Sequence, residues 1–308
     1  MRNKLPNLVR SQQLSRELLE ELFTLSEKIR KNESKYSTSL KGKMMDIIFY
    51  ESSTRTRKSF EVAMKMLGGQ ATVTENAKEF SSAAKGETLE DTVRVIEAYS
   101  DIIVLRHPDL GSSELASKLV DIPVINAGDG KGQHPTQALL DVYTIWKEFG
   151  KVDGLRVAMI GDLANGRTVR SLAYLSAKFN KMELTFVSPP NLNIGNDIKS
   201  YLIEHNLPFT EENDFNSVIP EVDVIYMTRI QKERMSPEDY NKSKGKYILN
   251  QKNLKLVRKD ARILHPLPHV EEISLPITIE ENDPRVAYFR QAENGLYTRM
   301  ALLHHLLA

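Results

Sequence analysis

Residues 44–68 read MMDIIFYESSTRTRKSFEVAMKMLG, and the order of chemistry along them decides the fold. An apolar run, Met44–Tyr50, gives way to Glu51-Ser-Ser-Thr-Arg-Thr-Arg57, and then Phe60, Ala63, Met64 and Leu67 recur at helical spacing before Gly68. That is a strand, a polar loop and an amphipathic helix over Ser53–Leu67, with a glycine as its stop. The same rhythm returns along the chain. Further strands are predicted at Ile102–Leu105, Val124–Asn126, Val157–Ile160, Leu184–Val187, Val222–Tyr226 and Ile263–Leu264. Alternation of this kind predicts parallel sheets flanked by helices.

Three more helices are marked by their ends or composition. Thr88-Leu-Glu-Asp91 opens Leu89–Tyr99 as a capping box with Asp in place of Glu or Gln. Pro135 takes the first position of Pro135–Phe149, and Gly295–Ala308 is too apolar to be a free tail. A chain of 308 residues exceeds the size at which a single core stops growing, so two domains are expected. The break falls at Phe149–Asp153 or near Gly128–Gly132. The charged segment Gln231–Tyr247 has no clear apolar face and reads either as a mobile lid or as a solvated helix pair.

Composition narrows the function. With 41% hydrophobic and 27% charged residues the chain is an ordinary globular one. A net charge of +1 argues against nucleic acid or an anionic membrane as the main partner. No apolar run reaches the length of a membrane span, and MRNKLPNLVR lacks the apolar centre of a secretory signal, so a cytoplasmic location is expected. The absence of cysteine excludes disulfides, thiolate zinc ligands and a cysteine nucleophile.

In parallel α/β sheets ligands bind beyond the carboxyl ends of the strands, so the residues after each apolar run matter most. Those segments are Glu51–Arg57, Arg106-His-Pro108, Gly128–Gln137, Gly161–Arg170, Met227–Gln231 and His265-Pro-Leu-Pro268. Together they gather Arg55, Arg106, Arg167 and Arg229, a set suited to a ligand with several phosphate or carboxylate groups. Ser53, Thr54, Arg55 and Thr56 occupy a first helical turn, where free N–H groups and the helix dipole already favour an anion. Arg57 and Lys58 read equally well as solvated charges. His134 and Gln137, three residues apart, can face one atom, and a histidine there can polarise a carbonyl. Lys85 lies in EFSSAAKGE, a flexible loop in which it reads, taken alone, as a solvated lysine.

The ordered set Ser-Thr-Arg-Thr-Arg57, Leu105-Arg-His-Pro108, His134-Pro-Thr-Gln137, Gly161-Asp-Leu…Gly166-Arg-Thr168 and His265-Pro-Leu-Pro268 resembles the aspartate and ornithine carbamoyltransferases over essentially the whole chain. His265-Pro-Leu-Pro268 and Tyr226-Met-Thr-Arg-Ile-Gln-Lys-Glu-Arg234 side with the aspartate branch; ornithine enzymes usually show His-Cys-Leu-Pro and a Ser-Met-Gly segment. The resemblance implies two doubly wound domains, 1–134 plus 290–308 for carbamoyl phosphate and 135–289 for L-aspartate, with the C-terminal helix packing back on the first. It implies that Ser53, Thr54, Arg55, Thr56 and Arg106 hold phosphate, with Thr56, Arg106 and His134 around the carbonyl oxygen. Gln137 and the carbonyls of Pro266 and Leu267 would take the carbamoyl amino group, with Leu267–Pro268 cis. Arg167 and Arg229, helped by Gln231, would clamp the aspartate carboxylates.

Ser81 and Lys85 would reach in from a neighbouring subunit of a homotrimer, and Glu51 would latch onto Arg167 and Arg234. Regulatory chains bind some members of the family. No cofactor or metal is implied, because the amino group attacks the carbamoyl carbon directly and phosphate leaves. Ser52 stands where proline or alanine is usual and His269 where many relatives have arginine, and either Ser81 or Ser82 fits the shared position. Three rivals are an ornithine-type transferase, which would want an acidic or apolar group where Arg229 stands, a non-catalytic anion-binding or assembly protein, and a dinucleotide-binding oxidoreductase suggested by VAMIGDLANG. The last lacks the second and third glycines after Gly161.

Overall fold

The computed structural model describes residues 5–308, which divide into two compact units, 5–140 with 293–308 and 141–292. The chain passes between them inside the helices Pro135–Phe149 and Tyr288–Leu307, a few residues beyond the expected 134/135 and 289/290.

In the first unit β1 (Met44–Phe49) lies between β2 (Gln70–Glu75) and β3 (Ile102–His107), with β4 (Val124–Asp129) beyond β3. All pairings are parallel. β1 is interior and covered on both faces, so Ile47, Ile48 and Phe49 are each at most 2% exposed, which is why its apolar residues are consecutive and not alternate. Ile48, Ile103 and Leu105 share a core with Val93 of helix Leu89–Glu97 and Ala116 of helix Ser112–Leu119. Burying each large side chain contributes about 1.5–3 kcal/mol. The Thr88 hydroxyl caps its helix by accepting the Asp91 N–H at 3.2 Å.

In the second unit the strands are β5 (Arg156–Ile160), β6 (Glu183–Val187), β7 (Phe209–Glu212), β8 (Val224–Met227), β9 (Leu249–Asn250), β10 (Arg262–Leu264) and β11 (Ile273–Ser274). Five form a parallel sheet in the order β10-β8-β5-β6-β7, and β9 pairs with β11. The expected strand at Val222–Tyr226 is observed as Val224–Met227, and just before it the Asp223 side chain accepts the Arg156 N–H at 2.8 Å. The segment Gln231–Tyr247 is a short 3₁₀ turn, Lys232–Arg234, followed by the helix Pro237–Ser243.

The C-terminal helix starts earlier than expected, at Tyr288, and Met300, Ala301, Leu302 and Leu303 are fully buried. From Glu293 onward it packs on the first unit. Arg30 pairs with Glu293 at 3.0 Å, the Tyr297 hydroxyl donates to Glu33 at 2.9 Å, and the Arg299 guanidinium sits 5.0 Å over the Phe60 ring. The expected fold, two doubly wound domains with a returning C-terminal helix, is therefore the one observed. Among the described residues no helix is long and apolar enough to cross a membrane.

Candidate active site

Strand order reverses at β1 in the first unit and at β5 in the second, and at such switch points the loops diverge and leave a crevice. The polar segments begin there. Arg106 is in register with Phe49 across β1 and β3, and its carbonyl accepts the Tyr50 N–H at 2.9 Å. This places Arg106 beside the loop Glu51–Ser53 and the helix Thr54–Met66.

Ser53 is the N-cap of that helix, yet its hydroxyl makes no capping bond; its N–H donates to Glu75 at 3.1 Å. Arg55 is exposed in this turn, and no carboxylate of the described residues pairs with its guanidinium. Desolvation lowers its pKa from the usual value, but a guanidinium stays charged at physiological pH. Thr56 is buried. Arg57, which the sequence left open, is spent on structure: it pairs with Glu75 at 2.8 Å and Glu61 at 3.4 Å. Arg106 has a side chain only 15% exposed, with Glu51 3.5 Å away.

The β4 loop is brought to the same edge by backbone packing. The Gly130 N–H donates to the His107 carbonyl at 2.9 Å, and a Cβ on Gly130 would lie 2.5 Å from the Pro108 carbonyl, so only glycine fits. Asp129 closes the loop by accepting from the N–H groups of Gly111 at 3.0 Å and Gln133 at 2.8 Å. Immediately before the helix Pro135–Phe149 stands His134, 3% exposed with Nδ1 3.3 Å from the Thr136 hydroxyl, and the first turn of that helix carries the buried Gln137. His107 is a structural partner instead: its Nδ1 accepts from Asp109 N–H at 3.1 Å and contacts the Ser112 hydroxyl at 2.9 Å, and burial lowers its pKa.

In the second unit the loops after β5 and β8 meet in the same way. A Cβ on Gly161 would lie 2.2 Å from the Thr228 carbonyl, and its φ of +123° already excludes most side chains. The glycine that hinted at a dinucleotide fingerprint thus serves a close backbone contact. Gly161→Ala is expected to destabilise the protein by about 3 kcal/mol, read as a lower thermal midpoint; an unchanged midpoint would contradict this packing.

Buried Asp162 then ties the loops together, accepting Asn165 N–H at 2.9 Å and Gln231 N–H at 3.4 Å while burial raises its pKa. Arg234 donates to the Asn165 carbonyl at 3.2 Å. Arg167, 7% exposed, starts the next helix. Arg229 is fixed by Glu233 one turn later through both terminal nitrogens, one at 3.0 Å, and that hydrogen bonding raises its pKa while lowering that of Glu233. Pro266 and Leu267 are half-buried, Pro268 is exposed, and Leu267–Pro268 is cis.

Each unit therefore collects its own share of the expected residues. Ser81 and Lys85 are the exception. They lie on the 3₁₀ turn Ser82–Lys85 and its cap, where the Ser81 hydroxyl donates to the Ala77 carbonyl at 2.6 Å and accepts from Ala83 N–H at 3.1 Å. Lys85 is exposed and has no ion-pair partner among the described residues, and neighbouring Phe80 is 75% exposed. Asp162 and Glu233 were not legible in sequence as site residues, since each acts by holding a neighbour.

A family model described as the aspartate/ornithine carbamoyltransferase carbamoyl-P binding domain matches residues 7–147, and one described as the Asp/Orn binding domain matches residues 153–306. The chain is 55% identical over 309 residues to aspartate carbamoyltransferase 1, chloroplastic, of Pisum sativum, covering 99% of this chain and 79% of that protein. It is similar to the catalytic subunit of Methanocaldococcus jannaschii aspartate transcarbamoylase, with a TM-score of 0.88, 43% identity and 98% of both chains covered. Aspartate transcarbamoylase from Trypanosoma cruzi, solved with carbamoyl phosphate and aspartate, gives a TM-score of 0.91 at 35% identity over 98% of this chain and 97% of that one. Two family models in tandem, matched by full-length identity and by fold, place this chain in the aspartate/ornithine carbamoyltransferase family.

Proposed function

We propose that the protein is an aspartate carbamoyltransferase: it transfers the carbamoyl group of carbamoyl phosphate to the amino group of L-aspartate, giving N-carbamoyl-L-aspartate and phosphate, an early step of pyrimidine biosynthesis. The observation that carries the aspartate assignment is Arg229, oriented by Glu233 on the loop that Asp162 ties to the start of the Arg167 helix. Two guanidiniums suit a dicarboxylate and repel the cationic side chain of ornithine.

The unspent Ser53 hydroxyl, Thr54, Arg55, Thr56 and Arg106 bind the phosphate, and free N–H groups of the helix start add to them. Thr56, Arg106 and His134 donate to the carbonyl oxygen, where negative charge grows as the tetrahedral intermediate forms. Gln137 and the carbonyls of Pro266 and Leu267 orient the carbamoyl amino group; Arg167, Arg229 and Gln231 hold aspartate. Catalysis comes from orientation and charge stabilisation with no covalent intermediate on the chain. The amine proton leaves with the phosphate, which is basic enough to take it.

The exposed Lys85 turn supports a homotrimer in which Ser81 and Lys85 complete a neighbour's site. Regulatory chains belong to the same proposal for the larger assembly. Phosphate release from the purified chain tests the reaction: it should require both carbamoyl phosphate and aspartate, and release independent of aspartate would contradict it.

A further inference from the structure

Leu267 holds φ at +55°, a left-handed conformation that is unfavourable for a non-glycine residue and persists only where its surroundings impose it. Those surroundings converge on His265, which is 2% exposed. The Leu267 N–H donates to His265 Nδ1 at 2.8 Å, and Nε2 lies 2.9 Å from Glu272 Oε1, which also accepts the Val270 N–H at 3.1 Å. Because Nδ1 accepts, these partners assign the proton of a neutral ring to Nε2, facing the carboxylate. The His265 backbone N–H donates to Gln291 Oε1 at 2.8 Å, Gln291 donates to Asp141 at 2.6 Å, and the other Asp141 oxygen accepts from the Tyr226 hydroxyl at 2.8 Å. The ring is thus anchored at its backbone and at Nε2, leaving Nδ1 at a set point over the loop.

We propose that His265 is a positioning residue that directs the Pro266 and Leu267 carbonyls by accepting the Leu267 N–H at Nδ1. The inference rests on the reading of those carbonyls as acceptors for the carbamoyl amino group. A packing role would need only the volume of the ring; positioning needs an acceptor atom at the Nδ1 place. Asparagine and glutamine separate the two, since an asparagine oxygen can stand near Nδ1 without reaching Glu272, whereas a glutamine amide reaches toward Glu272 and leaves the Leu267 N–H without its acceptor.

The test is calorimetric titration of the full chain with carbamoyl phosphate and with inorganic phosphate, which lacks the amino group and serves as reference. His265→Asn should keep the wild-type preference for carbamoyl phosphate over phosphate within about twofold, and His265→Gln should lower it about tenfold with phosphate affinity unchanged. Equal preferences in the two variants would overturn the proposal. If His265→Gln does not fold, Gln291→Leu, which removes the acceptor for the His265 N–H, should lower the preference similarly, and an unchanged preference there would overturn it. A wild-type chain with no preference for carbamoyl phosphate would instead strike the underlying functional reading, so the two failures are distinguishable.

Discussion

Replacing Arg106 by alanine is expected to lower kcat/KM at least a hundredfold, about 3 kcal/mol of transition-state stabilisation. The residue stands at the carboxyl end of β3, opposite Phe49, in the register that places its side chain beside the helix N-terminus carrying Ser53–Thr56. It is the one arginine assigned both to the phosphate and to the carbonyl oxygen, so its loss removes charge from two groups that become more negative during reaction. Its low exposure strengthens each interaction relative to water. Arg106→Lys keeps the charge but loses the planar fork, so activity should fall there too. Initial rates, measured beside thermal midpoints that establish folding, check this; turnover within about threefold of wild type in Arg106→Ala would remove Arg106 from the site.

Mixing two inactive chains should restore activity if sites are shared. Arg55→Ala damages the phosphate end of a chain's own site, whereas Lys85→Ala damages only what that chain lends to its neighbour. In a ring of three identical contacts, each hybrid trimer then keeps one site with both residues present, about one third of wild-type activity per trimer. The exposed Lys85 turn, bounded by Gly86 at φ +96°, motivates the experiment. Hybrids verified by mass and still inactive would favour a site built within one chain.

Sequence exposed the central strands because each contains a run of consecutive apolar residues, as in Ile47–Phe49 and Val157–Ile160. It missed β2 and β7, edge strands with much of their surface in water, and the two-residue β9 and β11: Gln70 and Thr72 are exposed with the rest of β2 half-buried, and three of the four residues of Phe209–Glu212 are exposed. An edge strand needs no continuous apolar run, so its pattern blends into a loop.

Site residues that follow strands were visible because parallel topology makes that position informative. What the sequence could not show were the side chains that act through others. Glu233 looked like one charge among many until it was seen to hold Arg229, and Asp162 gains its meaning only from the loops it joins. Arg57 went the other way, from a possible anion ligand to a strut for Glu75 and Glu61.

The most direct measurement is carbamoyl transfer from carbamoyl phosphate to aspartate and to ornithine, compared as kcat/KM on the same purified chain. Two guanidiniums at the acceptor site favour the dicarboxylate by two charge-assisted contacts and reject the cationic side chain, so aspartate should be preferred by about a thousandfold or more, with N-carbamoyl-L-aspartate and phosphate formed in equal amounts. Equal or better use of ornithine would contradict the account.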